Sequence, residues 1–255
     1  MHQSLRNVTR RARIASTVTV AALAAAGLIA ASAAGAQSKE SAKAAPAAPA
    51  VVKAGSAEIQ LIGVKDVIEQ LKGIPQAGGW LGTDKAPIQM VVFADLQCPF
   101  CKQYDTEVNP TVVKEFVKPG KVRLFFSGMD FIGKDSNRGL KAAAAAANQN
   151  KLWQLVTLLY VNQGTENGGW LSDKMIQTVA KAIPGLDYKK FESDRKSDKA
   201  VGARLATWAS LASSAGVNST PTFFAGTKGK LGSLAVTALE VQQFRTALTK
   251  LVTAK

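Results

Sequence analysis

The two cysteines of this 255-residue chain, Cys98 and Cys101, are separated by only two residues and directly follow an apolar run. The run, residues 88–94, has the length and composition of a buried strand, and a polar, helix-compatible segment follows Cys101. Pro99 suits the first position of a helix, because its missing N–H is not needed there. The sequence therefore predicts a buried strand that ends in a turn and a helix that begins at the first thiol.

This placement makes Cys98 a candidate reactive thiol. An N-cap side chain accepts hydrogen bonds from the backbone N–H groups of the next helical residues, here Phe100 and Cys101. Together with the helix dipole, these donors stabilise a thiolate and lower the pKa of a cysteine below its usual value of about 8.5. Cys101 lies one turn further on, on the same helix face, where it can close a disulfide. The pair is predicted to be a redox site.

Other roles for the two cysteines are disfavoured by the rest of the sequence. A purely structural bridge would close a very short loop and stabilise the fold by only about 2 kcal/mol. A structural zinc site requires four ligands, but the only histidine is His2 and there is no third cysteine. The lack of any later histidine also argues against histidine-based acid–base catalysis. We therefore expect neither a metal nor a cofactor.

Residues 1–36 have the pattern of a secretory signal peptide. Four arginines before residue 14 precede an uncharged, alanine-rich stretch at 14–33, and Ala34-Gly35-Ala36 offers a small-residue cleavage site. About 20 apolar residues can also span a bilayer, so an uncleaved membrane anchor is the alternative. In both cases the folded part is predicted to be exported, to the periplasm or the cell envelope.

The remaining chain divides by composition. Residues 37–57 are rich in Ala, Pro, Ser and Lys and are predicted to form a flexible tether. Residues 58–85 are predicted to form an N-terminal extension with a short amphipathic helix at 64–71. The main domain is predicted to span 86–255, with a helical insertion at about 135–216.

The main domain begins and ends with strands in this prediction. Asn109-Pro110 should kink or interrupt the helix that follows Cys101, and a second strand at 122–126 is expected to pair in parallel with the first. In the segment 219–224, Pro221 stands just before a further apolar strand, which leads to a hairpin around 226–232 and a closing helix at about 238–251.

The predicted insertion is alanine-rich at 141–147 and carries a helical stripe of large apolar residues at 152–160. Its aromatic residues are expected to anchor the core: Trp153, Trp170 and Trp208. The turn-rich loop 162–169 shows no recognisable chemistry of its own.

The chain is strongly basic. Its net charge is +14, of which four charges belong to the arginines before residue 14, leaving +10 beyond residue 36. The lysines are scattered rather than clustered, which indicates a solvated basic surface. Such a surface can associate with an anionic membrane or cell wall. Nucleic-acid binding is not expected, because no motif supports it.

Two sequence elements, read together, resemble the DsbA-like branch of the thioredoxin superfamily. The first is Phe-x-Asp-x-x-Cys-Pro-Phe-Cys at 93–101, placed after a strand. The second is Ser-Thr-Pro-Thr-Phe-Phe at 219–224, placed after a helical insertion and before a strand, hairpin and helix. The resemblance covers about residues 86–251. It implies an α/β, thioredoxin-like fold with a central mixed sheet flanked by helices and a helical insertion.

By this resemblance, Cys98 is the nucleophile that forms mixed disulfides and Cys101 is the resolving thiol. Pro221 is expected to be cis and to face the disulfide, with Thr220 offering backbone hydrogen bonds to an extended substrate. Pro99 and Phe100, between the cysteines, complete the implied substrate-binding residues.

The sequence also departs from the pattern of the family that it resembles. Some relatives carry a buried glutamate six residues before the nucleophile, where this chain has Val92. The strongest oxidants have Pro-His between the cysteines, and Phe100 cannot stabilise a thiolate by charge. The pKa of Cys98 is therefore expected to be lowered, but less than in those proteins. Asp95 is expected to have a strand-end or capping role, with assistance of proton transfer as the alternative. Lys102 adds positive charge near the thiolate, and its side chain is expected to point to solvent.

The resemblance implies an exported thiol-disulfide oxidoreductase that exchanges a Cys98–Cys101 disulfide with cysteines of exported proteins. A stabilised thiolate makes the disulfide oxidising, which favours a disulfide donor. Such a donor implies a membrane-embedded redox partner that reoxidises it. Two alternatives stay open: an isomerase or reductase kept reduced by a membrane partner, and a non-enzymatic binding or chaperone module with a vestigial disulfide.

Overall fold

The computed structural model describes residues 58–254, so the predicted signal peptide and tether lie outside the described residues. Six strands form one sheet: β1 (Gln76–Ala77), β2 (Trp80–Leu81), β3 (Ile88–Asp95), β4 (Val122–Met129), β5 (Thr222–Thr227) and β6 (Lys230–Ser233). The helices are α1 (Val64–Leu71), α2 (Pro99–Gln103), α3 (Asn109–Val112), α4 (Lys134–Ala147), α5 (Leu152–Val161), α6 (Asp173–Lys181), α7 (Tyr188–Arg195), α8 (Asp198–Ser214) and α9 (Val241–Thr253). None of the helices in this part of the chain combines the length and apolar character needed to cross a membrane.

The sheet is mixed, with the order β1-β2-β4-β3-β5-β6. β3 pairs in parallel with β4, as predicted, and antiparallel with β5. Helices cover both faces of β3: Val92 joins the main core, whereas Phe93 packs in a smaller cluster that includes Ala212 of α8. A strand covered on both faces is an almost continuous apolar run, which is why residues 88–94 could be assigned from the sequence.

The helical path after Cys98 changes its hydrogen-bond pattern next to Pro110, where the sequence predicted a kink or an interruption. It is not broken there but runs from α2 to residue 117, with π-helical turns at Tyr104–Val108 and Val113–Val117 on either side of α3. The Asn109 N–H bonds to the Tyr104 carbonyl, five residues back. Because a proline inside a helix lacks an N–H and crowds the preceding turn, the wider π turn before Pro110 accommodates it without a break.

The predicted helical insertion is confirmed as α4 to α8, and α8 ends before Gly216, whose φ of 64° is left-handed. The β5–β6 hairpin and α9 also follow the predicted order, and β5 begins at Thr222, directly after Pro221. Residues 76–81, within the predicted N-terminal extension, supply β1 and β2, two short strands that the sequence analysis did not predict. β2 pairs with β4 and extends the sheet at that edge.

The core contains two of the three tryptophans that were expected to anchor it. Trp153 and Trp208 are almost completely buried. The Trp153 indole N–H also donates to the Gly79 carbonyl at 3.1 Å, which ties α5 to the β1–β2 turn. Trp170 is only partly buried and packs against the edge of the core.

An aromatic cluster joins the helical path after Cys98 to the C-terminal half of the domain. The ring of Phe223 on β5 lies 4.7 Å from that of Tyr104 and 4.9 Å from that of Phe244 on α9, measured between ring centroids. Phe244 is fully buried. This cluster therefore holds α9 and β5 against the segment that carries the cysteines.

Phe244→Ala should lower the free energy of unfolding by about 3–5 kcal/mol, because it leaves a cavity beside two other rings. Urea denaturation followed by circular dichroism measures this change. Thr249→Ala, at an exposed position of the same helix, is the control and should change the free energy by less than about 0.5 kcal/mol. A loss below about 1 kcal/mol for Phe244→Ala would contradict the assigned packing.

Candidate active site

Cys98 is the N-cap of α2, as the sequence predicted. Its backbone is extended, with φ −68° and ψ 120°, and Pro99 occupies the start of the helix. The Cys98 sulfur accepts a hydrogen bond from the backbone N–H of Cys101 at 3.4 Å. The Cys98 N–H itself donates to the Asp95 carbonyl at 3.0 Å, which fixes the turn between β3 and α2.

The fold brings the residues before β5 to the same thiol. The Thr220–Pro221 peptide bond is cis, in agreement with the prediction, and the Cys98 thiol donates to the Thr220 carbonyl oxygen at 3.3 Å. Both cysteines are free thiols and both are buried, Cys98 with 4% and Cys101 with 1% of its surface exposed. Four of the six predicted site residues, two cysteines and the Thr220-Pro221 pair, therefore lie together.

The other two predicted site residues, Pro99 and Phe100, face solvent beside Cys98. The Phe100 side chain is 62% exposed, which is unusual for a large apolar residue in this domain. The ring therefore makes no contribution to the core that would explain its position. It is available to a molecule that approaches the Cys98 sulfur.

The two thiols are strongly differentiated in acidity. The pKa of Cys98 is lowered to about 6, chiefly by a hydrogen bond from the Cys101 thiol and further by the Thr220 side chain and backbone N–H groups, which together outweigh the effect of burial. The pKa of Cys101 is raised well above its usual value, chiefly because burial disfavours its charged form. The hydrogen bond that the Cys101 thiol donates to Cys98, and repulsion by the Cys98 charge, raise it further. At neutral pH the pair therefore consists of a Cys98 thiolate and a Cys101 thiol.

Asp95 holds the end of β3, as expected. Its carboxyl group is fully buried and accepts hydrogen bonds from the Gln97 N–H at 2.8 Å, the Ile132 N–H at 3.1 Å and the Ser136 hydroxyl at 2.7 Å. Burial raises the pKa of Asp95 despite these donors. Each carboxylate oxygen has a partner, so the side chain serves to position the turn before Cys98.

Two buried amides were not predicted from the sequence, although they position the cysteine turn. Gln163 donates to the Leu96 carbonyl at 2.8 Å and to the Cys98 carbonyl at 3.2 Å. Gln97 accepts from the Asn167 N–H at 2.9 Å. Both contacts come from the loop that showed no chemistry in the sequence. Its abundance of Gln and Asn was the available signal, but partners almost 70 positions away are not visible in a single sequence.

The expectation that Lys102 points to solvent is wrong. Its ammonium group donates to the Gln163 carbonyl at 3.3 Å and is partly buried. The loop thus contacts the cysteine helix at two points, through the Gln163 side chain and its backbone. Within residues 58–254, no group of three or more metal-binding side chains lies close enough to hold an ion.

Comparison with known proteins places this geometry in a family. A sequence model of the thioredoxin family matches residues 76–244. The chain belongs to the thioredoxin family. Among solved structures, oxidised BdbD from Bacillus subtilis is similar with a TM-score of 0.60 and 20% identity, over 72% of this chain and 94% of that one. DsbA from Chlamydia trachomatis is similar with a TM-score of 0.56 and 19% identity, over 68% of this chain and 90% of that one. This chain therefore has a thioredoxin-like fold that is similar to the folds of BdbD and DsbA.

Curated relatives of this thioredoxin-family chain match over a shorter length. "Probable disulfide bond formation protein D" of Bacillus cereus is 35% identical over 120 residues, which are 46% of this chain and 56% of the relative. "Disulfide bond formation protein D" of Bacillus subtilis is 24% identical over 159 residues, 58% of this chain and 67% of the relative. The chain thus spans little more than half of the first of these proteins.

The acidity of Cys98 can be measured directly. In the reduced protein, thiolate absorbance near 240 nm should rise with a midpoint near pH 6, and Cys98→Ala should abolish this transition. Because the folded pKa of Cys98 lies below the unfolded one, the stability that Cys98 contributes to the reduced protein, measured against Cys98→Ala, should increase as pH rises from about 6 to 9 and be lost as pH falls back through 6. A midpoint near the ordinary cysteine value would contradict the assigned hydrogen bonds.

Proposed function

We propose that this protein is an exported thiol-disulfide oxidoreductase that acts as a disulfide donor to cysteines of exported proteins. The observation that carries the proposal is the pairing of an acidic thiol at a helix N-cap, Cys98, with a buried, much less acidic thiol, Cys101. Both lie against the Thr220–Pro221 turn. Relatives named for disulfide bond formation support the same reading.

In the donor direction, a substrate thiolate attacks the Cys98 sulfur of the Cys98–Cys101 disulfide. The bond between the two cysteines breaks, and Cys101 leaves with the electron pair and takes up a proton. A second substrate thiolate then attacks the substrate sulfur of the mixed disulfide and expels Cys98 as a thiolate. The substrate loses two electrons and gains a disulfide, while the protein becomes a dithiol.

The acidity of Cys98 supports this direction. A thiolate that is stabilised in the reduced protein leaves more readily and makes the disulfide more oxidising. The lowered pKa of Cys98, to about 6, is such a stabilisation. An oxidising compartment would keep the protein in its donor form, and we assign residues 1–36 as the signal peptide that directs it to the periplasm or the cell envelope.

The surface around Cys98 suits an extended, partly apolar polypeptide. The Thr220 carbonyl oxygen lies 3.3 Å from the Cys98 sulfur. As the family resemblance implies, the Thr220 backbone can form hydrogen bonds with an extended substrate at this place. Phe100 and Phe131 are exposed by 62% and 49%, and Phe131 follows β4, whose end pairs with the end of β3 next to the cysteine turn. Two exposed rings beyond the carboxyl ends of these central strands favour unfolded substrates, which expose apolar side chains.

Regeneration of the donor requires a second partner, because every turnover leaves the dithiol. We propose a membrane-embedded redox protein that withdraws two electrons from Cys98 and Cys101. The basic surface, in which lysines are scattered over the domain, favours association with an anionic membrane or cell wall near that partner.

A trapping experiment tests the activity and its substrates together. Cys101→Ala cannot resolve the mixed disulfide, so expression in the native compartment should accumulate exported cysteine proteins on Cys98, identified by non-reducing gels and mass spectrometry. Cys98→Ala is the matched control and should trap nothing. A Cys101→Ala protein that carries no disulfide-linked partner would contradict the proposal and support a binding module with a vestigial disulfide.

The direction of electron flow is set by the redox potential of the pair. Equilibration with glutathione should give a potential well above the value of about −270 mV that is typical of thioredoxin. Phe100→His should raise it further, since a cationic imidazole beside Cys98 stabilises the thiolate, and Phe100→Gln, polar but neutral, is the control. A wild-type potential near that of thioredoxin would contradict the donor role and favour a reductase.

A further inference from the structure

The end of the domain opposite the cysteines carries a group of exposed lysines that the exchange reaction does not use. Ile88, at the start of β3, pairs with Val122 at the start of β4 and with Thr227 at the end of β5, so these strand termini lie at one end of the sheet. Six exposed lysines stand on the segments that flank these termini and on the neighbouring loop 72–75: Lys72, Lys85, Lys118, Lys121, Lys228 and Lys230. This group is the basic end of the domain.

The loop 72–75 belongs to the basic end because it borders a cleft together with residues that precede β3 and β4. The cleft has a volume of about 320 Å³ and is lined by Lys72 and Lys118, by the Thr83 side chain and by the apolar side chains of Ile74 and Val117. No acid is among its lining residues in the part of the chain that the structure describes. The cleft therefore favours an anionic group with apolar atoms attached to it.

The negative charges near the basic end offset little of its positive charge. Three acids lie on the same or adjoining segments. Glu69 pairs with Lys72 at 3.3 Å, and Glu115 pairs with Arg245 at 2.7 Å, which leaves Asp84. Of the six lysines, Lys72 alone forms an ion pair within residues 58–254. The basic end therefore presents a net positive charge to the solvent.

The cysteine end of the sheet has a different charge balance. Its exposed lysine Lys134 is accompanied by two exposed acids, Asp130 and Glu166, and the Lys102 ammonium group is bonded to the Gln163 carbonyl. The two ends are separated by β3, whose 8 residues rise by about 3.3 Å each and span about 25 Å. The positive charge is thus concentrated away from the reactive thiol.

An exposed aliphatic side chain stands beside these lysines. Leu231 follows Lys230 on β6, pairs with Gly226 near the end of β5 and is 37% exposed. A lipid–water interface suits this combination, because lysine ammonium groups stay at the headgroups while an apolar side chain enters between them. A soluble polyanion offers Leu231 no apolar partner. The basic end therefore favours a bilayer over nucleic acid.

We propose that the basic end binds the anionic surface of a phospholipid bilayer and holds Cys98 about 25 Å from it, facing exported substrates. This inference rests on the proposed exchange activity and adds its orientation. Headgroup phosphates contact the lysines, and one of them occupies the cleft between Lys72 and Lys118. The attraction fades within a Debye length of about 8–10 Å, so the protein can detach and turn its cysteines towards a membrane-embedded partner.

Acetylation of lysines measures the orientation in the full chain. The purified protein is treated with an N-hydroxysuccinimide acetate ester on vesicles of phosphatidylcholine, with or without one-third phosphatidylglycerol, and mass spectrometry gives the rate at each lysine. On the anionic vesicles the lysines of the basic end should react at least about threefold more slowly, because headgroups cover them. Lys65 and Lys134, at the cysteine end, should change by less than about 1.5-fold, since they lie beyond the reach of the headgroups. Equal rates at the basic end on both kinds of vesicle overturn the inference.

Two variants with the same net charge test the surface by binding. Lys118→Glu/Lys228→Glu alters the basic end, and Lys65→Glu/Lys134→Glu is the matched control. Lys65 begins the helix that follows Ile62, which is bonded to Asn162 beside the cysteine turn. Each lysine near an anionic bilayer strengthens binding about fivefold, so the first variant should sediment with anionic vesicles at least about 25-fold less and the control should stay within about threefold.

Equal losses in the two variants overturn the assignment of the basic end. The acetylation rates decide the matter if residues 14–33 hold every variant on the vesicles. Protection of the same lysines by soluble polyphosphate, but not by vesicles, would indicate a different polyanion and overturn the bilayer as the partner. Circular dichroism of both variants confirms that each is folded.

The thiol separates this inference from the proposed activity. The uncharged reagent 4,4′-dithiodipyridine should react with Cys98 of the reduced protein on anionic vesicles within about twofold of its rate in solution, because the thiol lies beyond the reach of the headgroups. A rate at least tenfold lower on the vesicles would place the cysteine end on the bilayer and overturn the orientation. A rate in solution no faster than that of free cysteine would contradict the exchange activity itself, whereas a fast thiol combined with unprotected lysines would contradict only the docking.

Discussion

The buried carboxyl group of Asp95 is the constraint on which the arrangement of the site depends. It stands at the end of β3 and binds the Gln97 N–H of the cysteine turn, the Ile132 N–H beyond β4 and the Ser136 hydroxyl of α4. Three separate parts of the chain are thereby held at one point. Burial of a carboxyl group is costly unless it is hydrogen-bonded, so these donors and the acid require each other, and the turn before Cys98 is fixed as a result.

A second set of polar contacts adds the helical insertion to this point. The Gln163 amide bonds to two carbonyls of the cysteine turn, and the Lys102 ammonium returns a bond to the Gln163 carbonyl. The helical insertion therefore helps to position the turn that carries the reactive thiol. The ring contacts among Tyr104, Phe223 and Phe244 also hold the helical path after Cys98 against β5 and α9.

Local features of the site could be predicted from the sequence because each depends on neighbouring residues. The N-cap at Cys98 follows from Pro99 and from the apolar run before it, and the order of strands and helices follows from hydrophobic periodicity. The proximity of Thr220 and Pro221 came from the family resemblance rather than from spacing. The roles of Gln163 and Asn167 could not be predicted, since a buried amide is recognisable only once its partners are known.

The departures from prediction have separate physical causes. The interruption predicted at Pro110 takes the form of π turns that accommodate the missing N–H, and this form has no signature in the sequence. β1 and β2 have two residues each, too short for alternation to be visible. Lys102 was assigned to solvent by its charge, whereas its long apolar stem allows the ammonium group to reach a backbone carbonyl over the surface.

The separation in sequence of the groups around Cys98 has a consequence for a newly made chain. The Gln163 amide lies 65 residues beyond Cys98, and the Thr220 carbonyl 122 residues beyond it. Of the groups that lower the pKa of Cys98, the Cys101 thiol and the Cys101 and Phe100 N–H groups lie within three residues of it, and the Thr220 side chain is distant in sequence. An emerging chain that has exposed only the cysteine turn therefore lacks the Thr220 contribution, which comes with the closure of β5 against β3.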